Sequence, residues 1–325
     1  MTEPPFVTFA ILAYNQEEYI RAAAEAALAQ DYLNLEIIFS DDFSKDATFN
    51  IMQEIASSYN GAHHVIARRN PHNLGLSQHF NKVMAQAQGE IVVVAGGDDI
   101  SLPNRVSQTV ELFVADPEAT FVSLGFEEID QKGDFIQKGN TKTTGLPQRS
   151  TLESTLVAGG PGFHGASSAY KRMLFDIFGD LDKSCPFEDA PYVLRGLILG
   201  AGWSSPKKGV FYRKHRENLS SGLYKLNLDA LRNQYEADLE VARKNGFLDE
   251  RLCLVVEKWI EKWHYYHTLM RNFNETKSKS IFFLTKILPS KYISKIHCWN
   301  LCKLAIKNKC KMFFDKFLSR ERLVK

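Results

Sequence analysis

Several protein classes are excluded by what this 325-residue sequence lacks. It has five cysteines, an odd number, and no CxxC pair among them, which excludes a disulfide scaffold and a paired-thiol redox motif. Cys298 and Cys302 would share one helix face, but with no further paired ligands nearby they read as reduced thiols rather than half of a zinc site. No stretch reaches the roughly 18 uncharged apolar residues that a membrane-spanning helix needs. The opening MTEPPFVTFAIL has no basic segment ahead of its apolar run and no small-residue cleavage site, so it does not read as a signal peptide. The expectation is a cytoplasmic protein, soluble or peripheral. There is no internal repeat and no low-complexity segment. The net charge of +2 gives no global sign of a nucleic-acid partner.

What is present is enough apolar side chain for a sizeable core: 44% of residues are hydrophobic and 12% aromatic. The near-neutral charge conceals an asymmetry. Residues 1–275 carry 27 basic and 36 acidic side chains, whereas 276–325 carry 13 basic and 2 acidic. Length suggests roughly two units, the first over 1–224 and, where the pattern turns helical, an extension over 225–325 ending in a basic amphipathic tail.

From residue 6 to about 125, β-rich runs alternate with helical patterns, the order that builds a mainly parallel α/β sheet covered by helices. The pattern predicts strands at Phe6–Ala13, Glu36–Ser40, Val65–Ala67, Ile91–Ala95 and Phe121–Leu124. Helices are predicted near 17–29, 46–58 and 77–87, with Ser44 as an N-cap and Pro103 in the first turn of a fourth. Ile91–Ala95 is a continuous apolar run, as expected of a central strand buried on both faces. A hairpin is expected over Glu127–Lys138, turning at Asp130–Asp134, and loop over 139–165. Strand-like pieces at 166–171 and 209–213 flank a helix near 189–199, and long helices follow near 227–245 and 249–273.

In open parallel sheets, ligands bind outside the carboxyl ends of the strands. Those ends read Ala13-Tyr14-Asn15-Gln16-Glu17, Ser40-Asp41-Asp42, Asn73-Leu74-Gly75 after the third strand, and Gly96-Gly97-Asp98-Asp99. Polar and acidic groups converge on one edge. The ordered segments VTFAILAYNQEEYI, EIIFSDDFSKDAT, NPHNLGLSQHFNKVMAQAQGEIVVVAGGDD and DDISLPNRV resemble the successive signatures of family 2 glycosyltransferases. Further on, PFEDAPYVLRG resembles that family's acidic base motif and VFYRKHRENLSSG its Tyr-Arg-x-His segment. The resemblance covers about 6–222 and implies the GT-A fold, a nucleotide diphosphate sugar donor and transfer with inversion.

Transfer from such a donor needs the charge that develops on the leaving diphosphate neutralised, and a divalent cation on carboxylate ligands does this. The resemblance implies Asp99 as a ligand of Mn²⁺ or Mg²⁺, Asp98 as the sugar contact and His215 as a second metal or diphosphate ligand. Gly96 stands where many relatives have a further Asp, which removes one contact with the donor. Tyr14 is expected to stack on the base, with the Ala13 backbone and Glu17 nearby. Asp42 is expected to accept a ring N–H of uracil or thymine; the alternative is that Asp41 and Asp42 cap the following loop. Asn73 and Gly75 are weaker donor-site candidates, and Asn81 is read as either a site or a helix residue. The preferred donor is a UDP or dTDP sugar, with GDP left open.

An inverting transfer also needs one general base to take the proton of the acceptor hydroxyl. Asp189 matches the family's base, with Glu188 before it; a helix-capping role is the alternative. Glu188 and His164 are candidate acceptor contacts, His164 equally a structural residue. There is no Gln-x-x-Arg-Trp segment, so a non-processive transfer is expected, and the resemblance implies hexosyl or deoxyhexosyl (rhamnosyltransferase-like) transfer. The expected acceptor is a glycan or lipid-linked glycan, as the resemblance implies for bacterial surface-polysaccharide or O-antigen assembly. Gly160–Gly165 formally fits GxGxxG, but it follows a predicted helix and precedes a strand, the reverse of a dinucleotide-binding unit. A non-catalytic nucleotide-sugar-binding module is the rival reading. The tail, with aromatics among its cations, is expected to dock on an anionic membrane surface at the inner face of the plasma membrane, the alternative being packing on the catalytic unit.

Overall fold

The computed structural model describes residues 3–136, 145–158, 163–216, 218 and 226–275, with the main chain alone at 269–270 and 272–275. The tail, Cys298, Cys302 and the start of the GxGxxG match lie outside the described residues.

Four strands form the parallel half of the sheet: β1 (Val7–Ala13), β2 (Leu35–Asp41), β3 (His64–Arg69) and β4 (Ile91–Gly96), in the order β3-β2-β1-β4. The crossovers are α1 (Ile20–Leu28), α2 (Thr48–Ser58) and α3 (Leu76–Gln86). Side chains alternate between two cores. Val7, Phe9, Ile11 and Ala13 of β1, with Ile91, Val93 and Ala95 of β4, face α1 and α2. Ala10 and Leu12, with Val92 and Val94, face α3. The period-two alternation of a strand thus buries both faces, which is why these runs are continuously apolar.

The sheet continues through β8 (Ser168–Lys171), antiparallel to β4, then β6 (Ala119–Ile129), β9 (Ala201–Arg213) and the short β5 (Ile100–Ser101). β7 (Gln148–Thr151) pairs with the other half of that edge of β9. The remaining helices are α4 (Arg105–Ala115), α5 (Leu152–Ala158), α6 (Met173–Phe178), α7 (Asp189–Leu199), α8 (Leu228–Lys244) and α9 (Glu250–Glu275). Leu231, Tyr235 and Leu239 of α8 and Val256 and Ile260 of α9 join the core formed by α3 and α7. Between α7 and α8, Arg195 donates from Nε and Nη2 to both oxygens of Asp238 at 2.9 and 2.8 Å, with neither side chain more than 1% exposed.

Three local expectations are corrected. Ser44 does not cap α2; its hydroxyl donates to Asp41, while Glu17 Oε2 and Asp46 Oδ1 accept from the N–H groups of Ala47 and Thr48 at 2.8 and 3.0 Å. Pro103 precedes the N-cap Asn104 instead of entering α4, whose first residue is Arg105. β7 occupies part of the stretch 139–165 expected as loop, while α5 falls on the helix expected ahead of Gly160–Gly165. The strand expected at Phe121–Leu124 runs on to Ile129, because β9 offers a parallel partner that far; the turn at Asp130–Asp134 is there, closed by Asp130 N–H to Asp134 O at 2.9 Å.

Candidate active site

The edge at the carboxyl ends of β1, β2 and β4 is held by side chains that satisfy loop backbone. After β1 the chain turns at Asn15, whose φ of 53° is left-handed and whose Oδ1 accepts from Lys45 N–H at 2.8 Å. Gln16 N–H donates to Thr48 Oγ1 at 2.8 Å and Glu17 N–H to Asp46 Oδ2 at 3.1 Å. The β1 loop is thereby fixed to the start of α2. Tyr14 is left 44% exposed at the strand end, a large apolar ring facing solvent. Glu17 is engaged with α2, and the Ala13 carbonyl accepts from Asp42 N–H at 2.9 Å.

Asp42 organises the next loop. It is 3% exposed; Oδ1 accepts from Asn70 Nδ2 at 2.7 Å and Leu74 N–H at 2.9 Å, and Oδ2 from Gly75 N–H at 2.9 Å. A carboxylate has about four lone-pair sites, so roughly one is left for a ligand. Asn73 Oδ1 accepts the same Gly75 N–H at 3.1 Å. A Cβ on Gly75 would meet nothing within 4 Å, so glycine is wanted there for its φ of +76°. Asn81 lies away from this edge, bonded in both directions to Leu181 at 2.8 and 2.9 Å, a packing role. Behind Asp42, the buried imidazole of His79 meets Ser40 Oγ at 2.6 Å, and Arg68 donates to the same oxygen at 2.6 Å. Burial first of all drives His79 down to about 4, so the ring is neutral.

At the end of β4, Asp98 and Asp99 diverge as successive side chains do. Asp98 Oδ2 meets His215 Nε2 at 2.8 Å; Asp99, 3% exposed, accepts Arg213 N–H on Oδ1 at 2.9 Å. A Cβ on Gly96 would lie 2.6 Å from Asp98 Oδ1 and 3.4 Å from Asp99 Oδ2. One oxygen of each carboxylate therefore borders the same gap, which exists because residue 96 is glycine. Burial, then the Asp98 charge, pushes Asp99 well above the ordinary carboxylate range. The His215 ring lies on Tyr19, centroids 5.3 Å apart at 26°. Among the described residues no three His, Cys, Asp or Glu side chains converge closely enough to hold a metal unaided.

The second acidic pair begins α7, with Glu188 at the N-cap and Asp189 first in the helix. A Cβ on Gly165 would lie 2.6 Å from Asp189 Oδ2. Gly165 stands just before β8, and β8 runs antiparallel to β4, so Asp189 is carried to the same edge of the sheet as Asp98 and Asp99. Both residues are half-buried. Burial raises Asp189, and burial with the neighbouring Asp189 charge raises Glu188 to about 8. His164 packs on two rings: it stacks on Phe126 with centroids 3.9 Å apart and meets the Tyr212 ring edge-on. Burial first, then Lys214, lowers it to about 4, and Nδ1 has no hydrogen-bond partner among the described residues.

Two cations escaped the sequence reading. Arg105 is fully buried, donating to Val94 O at 2.6 Å and Ser101 Oγ at 2.9 Å, close enough to Asp99 for each charge to stabilise the other. Arg213 lies inside the Tyr-Arg-x-His segment, but nothing in the motif says where its side chain goes. An open cleft of about 470 Å³ adjoins His215, lined by Asp130–Lys132 and Lys214–Arg216.

A family model described as Glycosyl transferase family 2 matches residues 8–178, just over half of the chain. An uncharacterized glycosyltransferase of Rickettsia typhi is 34% identical over 193 residues, 57% of this chain and 56% of that protein. An uncharacterized protein of Mycobacterium tuberculosis is 37% identical over 111 residues, 34% of this chain and 32% of that one. The chain thus spans at most about half the length of these relatives. Among solved structures, TarS 1–349 of S. aureus in complex with UDP-GlcNAc superposes with a TM-score of 0.60 at 17% identity, covering 86% of this chain and 76% of that one. The mannosyltransferase PcManGT from Pyrobaculum calidifontis, in complex with GDP-Man and Mn²⁺, gives 0.55 at 18% identity, covering 94% and 88%. At such identities the likeness is one of fold, and that fold is GT-A. With the family match over 8–178 and this fold, the chain belongs to glycosyl transferase family 2.

Proposed function

We propose that the chain transfers one sugar, with inversion, from a nucleotide diphosphate sugar to a hydroxyl of a glycan or lipid-linked acceptor. The observation that carries this reading is the pairing of two carboxylate sites on one sheet edge, Asp98–Asp99 after β4 and Glu188–Asp189 at the start of α7. The first pair fits a divalent cation. Two hard oxygens face one gap and repel each other, and Mg²⁺ or Mn²⁺ is commonly bound by one or two carboxylates with substrate phosphates and water completing the shell. Asp98 and Asp99 would hold it, with His215 orienting Asp98 or turning to the diphosphate. Bound there, the ion supplies Lewis-acid neutralisation of the leaving diphosphate.

Asp189 takes the acceptor proton. As the acceptor oxygen bonds to the anomeric carbon, the bond from that carbon to the diphosphate oxygen breaks and its electron pair leaves with the nucleotide. The hydroxyl proton ends on Asp189. Its raised affinity for protons makes it a stronger base than an exposed aspartate, while Glu188, with a pKa of about 8, holds its own proton at neutral pH. Tyr14 and Asp42 are assigned to the base. The neighbours bind UDP-GlcNAc and GDP-Man, so the fold accommodates both bases, and the acidic Asp42 favours UDP or dTDP here.

The catalytic unit is assigned to 1–224 and the helical extension to 225–325. Thirteen cations among the aromatics of 276–325 support peripheral docking on an anionic membrane surface in the cytoplasm. Among the described residues no helix is long and apolar enough to cross a membrane. The test is a screen of UDP, dTDP and GDP sugars reading released nucleoside diphosphate, with and without chelator. Release that stops on chelation and returns with Mn²⁺ is expected. A module that only binds nucleotide sugars would release none.

A further inference from the structure

Arg213 ends β9, is 5% exposed and is bonded to both members of the acidic pair after β4. Its main-chain N–H donates to Asp99 Oδ1 at 2.9 Å, and its Nε to the main-chain oxygen of Asp98 at 2.8 Å. On the other side Nη1 donates to the carbonyls of Asp130 and Gln131 at 3.1 and 3.0 Å. The guanidinium carbon stands 4.9 Å from the centroid of Tyr19, and the other neighbour of that ring is His215. The Arg213 carbonyl accepts Asn218 Nδ2 at 3.0 Å, and Asn218 Oδ1 accepts His215 N–H at 2.5 Å.

We infer that Arg213 is a positioning residue for cation binding. Its side chain fixes the Asp98 backbone and, through Tyr19, the His215 ring, while its main chain holds the Asp99 carboxylate and, through Asn218, the His215 backbone. All its side-chain hydrogen bonds among the described residues go to main-chain oxygens, so no carboxylate partner directs it elsewhere. A planar fork is needed. One edge reaches Asp98 while the other reaches the 130–131 turn, and the face lies on Tyr19; the single nitrogen of lysine cannot do all three. Electrostatics alone runs the other way, since a cation beside the carboxylates opposes a second one. Arg213→Lys keeps the charge and removes the fork, which separates position from charge.

The inference rests on the proposed cation site, and the experiment tells the two apart. Mn²⁺ binding in the presence of UDP is measured by the electron paramagnetic resonance of the free ion, for wild type, Arg213→Lys and Tyr19→Leu, with thermal midpoints recorded. Wild type is expected to bind, Arg213→Lys at least about tenfold more weakly, and Tyr19→Leu about threefold more weakly. With Mn²⁺ raised to saturation, turnover of Arg213→Lys should return to within about threefold of wild type, because the base is untouched. If wild type binds no Mn²⁺, the cation site and this inference both fall. If wild type binds and Arg213→Lys binds equally, the inference alone falls. Should Arg213→Lys fail to fold, Tyr19→Leu decides: weaker Mn²⁺ binding supports the coupling, and unchanged binding overturns it.

Discussion

The two acidic pairs are both shaped by burial and differ in what holds their carboxylates. After β4, Asp99 accepts the N–H of Arg213 at 2.9 Å and Asp98 meets His215 at 2.8 Å, so partners distant in sequence fix both groups. At the start of α7, the carboxyls of Glu188 and Asp189 are governed mainly by burial, which raises both. The first arrangement suits groups that must stay in place and bind. The second suits a group that must accept a proton. Behind it, the Arg195–Asp238 ion pair anchors α7 to α8.

The largest effect is expected at Asp189. Asp189→Asn should lower the transfer rate by about 10²–10⁴-fold, the range general-base catalysis supplies, in a single-turnover assay. Normal turnover would collapse the contrast between the pairs. Next comes the anchor: Asp238→Ala leaves a buried guanidinium unpaired and should cost about 3–5 kcal/mol in urea unfolding. Asp42→Asn turns an amide N–H₂ toward donors already present and should cost about 1–3 kcal/mol, with weaker UDP binding, as a buried donor is left unmet. A variant with unchanged stability would show that the loop bonds are not what holds that edge.

A separate effect concerns pH. Glu188 has a folded pKa of about 8 against an ordinary 4.5, so the folded state holds its proton more tightly than the unfolded state. That stability is fully present below pH 4.5 and lost as pH rises through 8. Glu188→Gln, which stays neutral, should flatten the fall in thermal midpoint across this window. An identical fall in both proteins would place the loss elsewhere.

Much of the parallel half was legible because its signals are local. Continuous apolar runs marked β1 and β4, and the motif residues Asp42, Asp98, Asp99 and Asp189 all lie at the sheet edge where strand ends predict a site. What escaped depends on partners distant in sequence. Ser44 resembles a cap until Asp41 takes its hydroxyl; QRST becomes strand β7 only because β9 has an edge to fill. In the sequence Gly96 stands for a missing contact, whereas in the structure its lack of a Cβ opens the gap between Asp98 and Asp99. Arg213 reaches Asp98 across 115 positions of sequence, a span no local pattern encodes.

The central claim is that the two pairs have separate work, Asp98–Asp99 holding the donor and Asp189 moving the proton. Calorimetric titration of UDP with Mn²⁺ into wild type, Asp99→Asn and Asp189→Asn tests it directly. The account predicts affinity at least about tenfold weaker in Asp99→Asn and unchanged in Asp189→Asn. Equal losses in both, or a loss in Asp189→Asn alone, would contradict it.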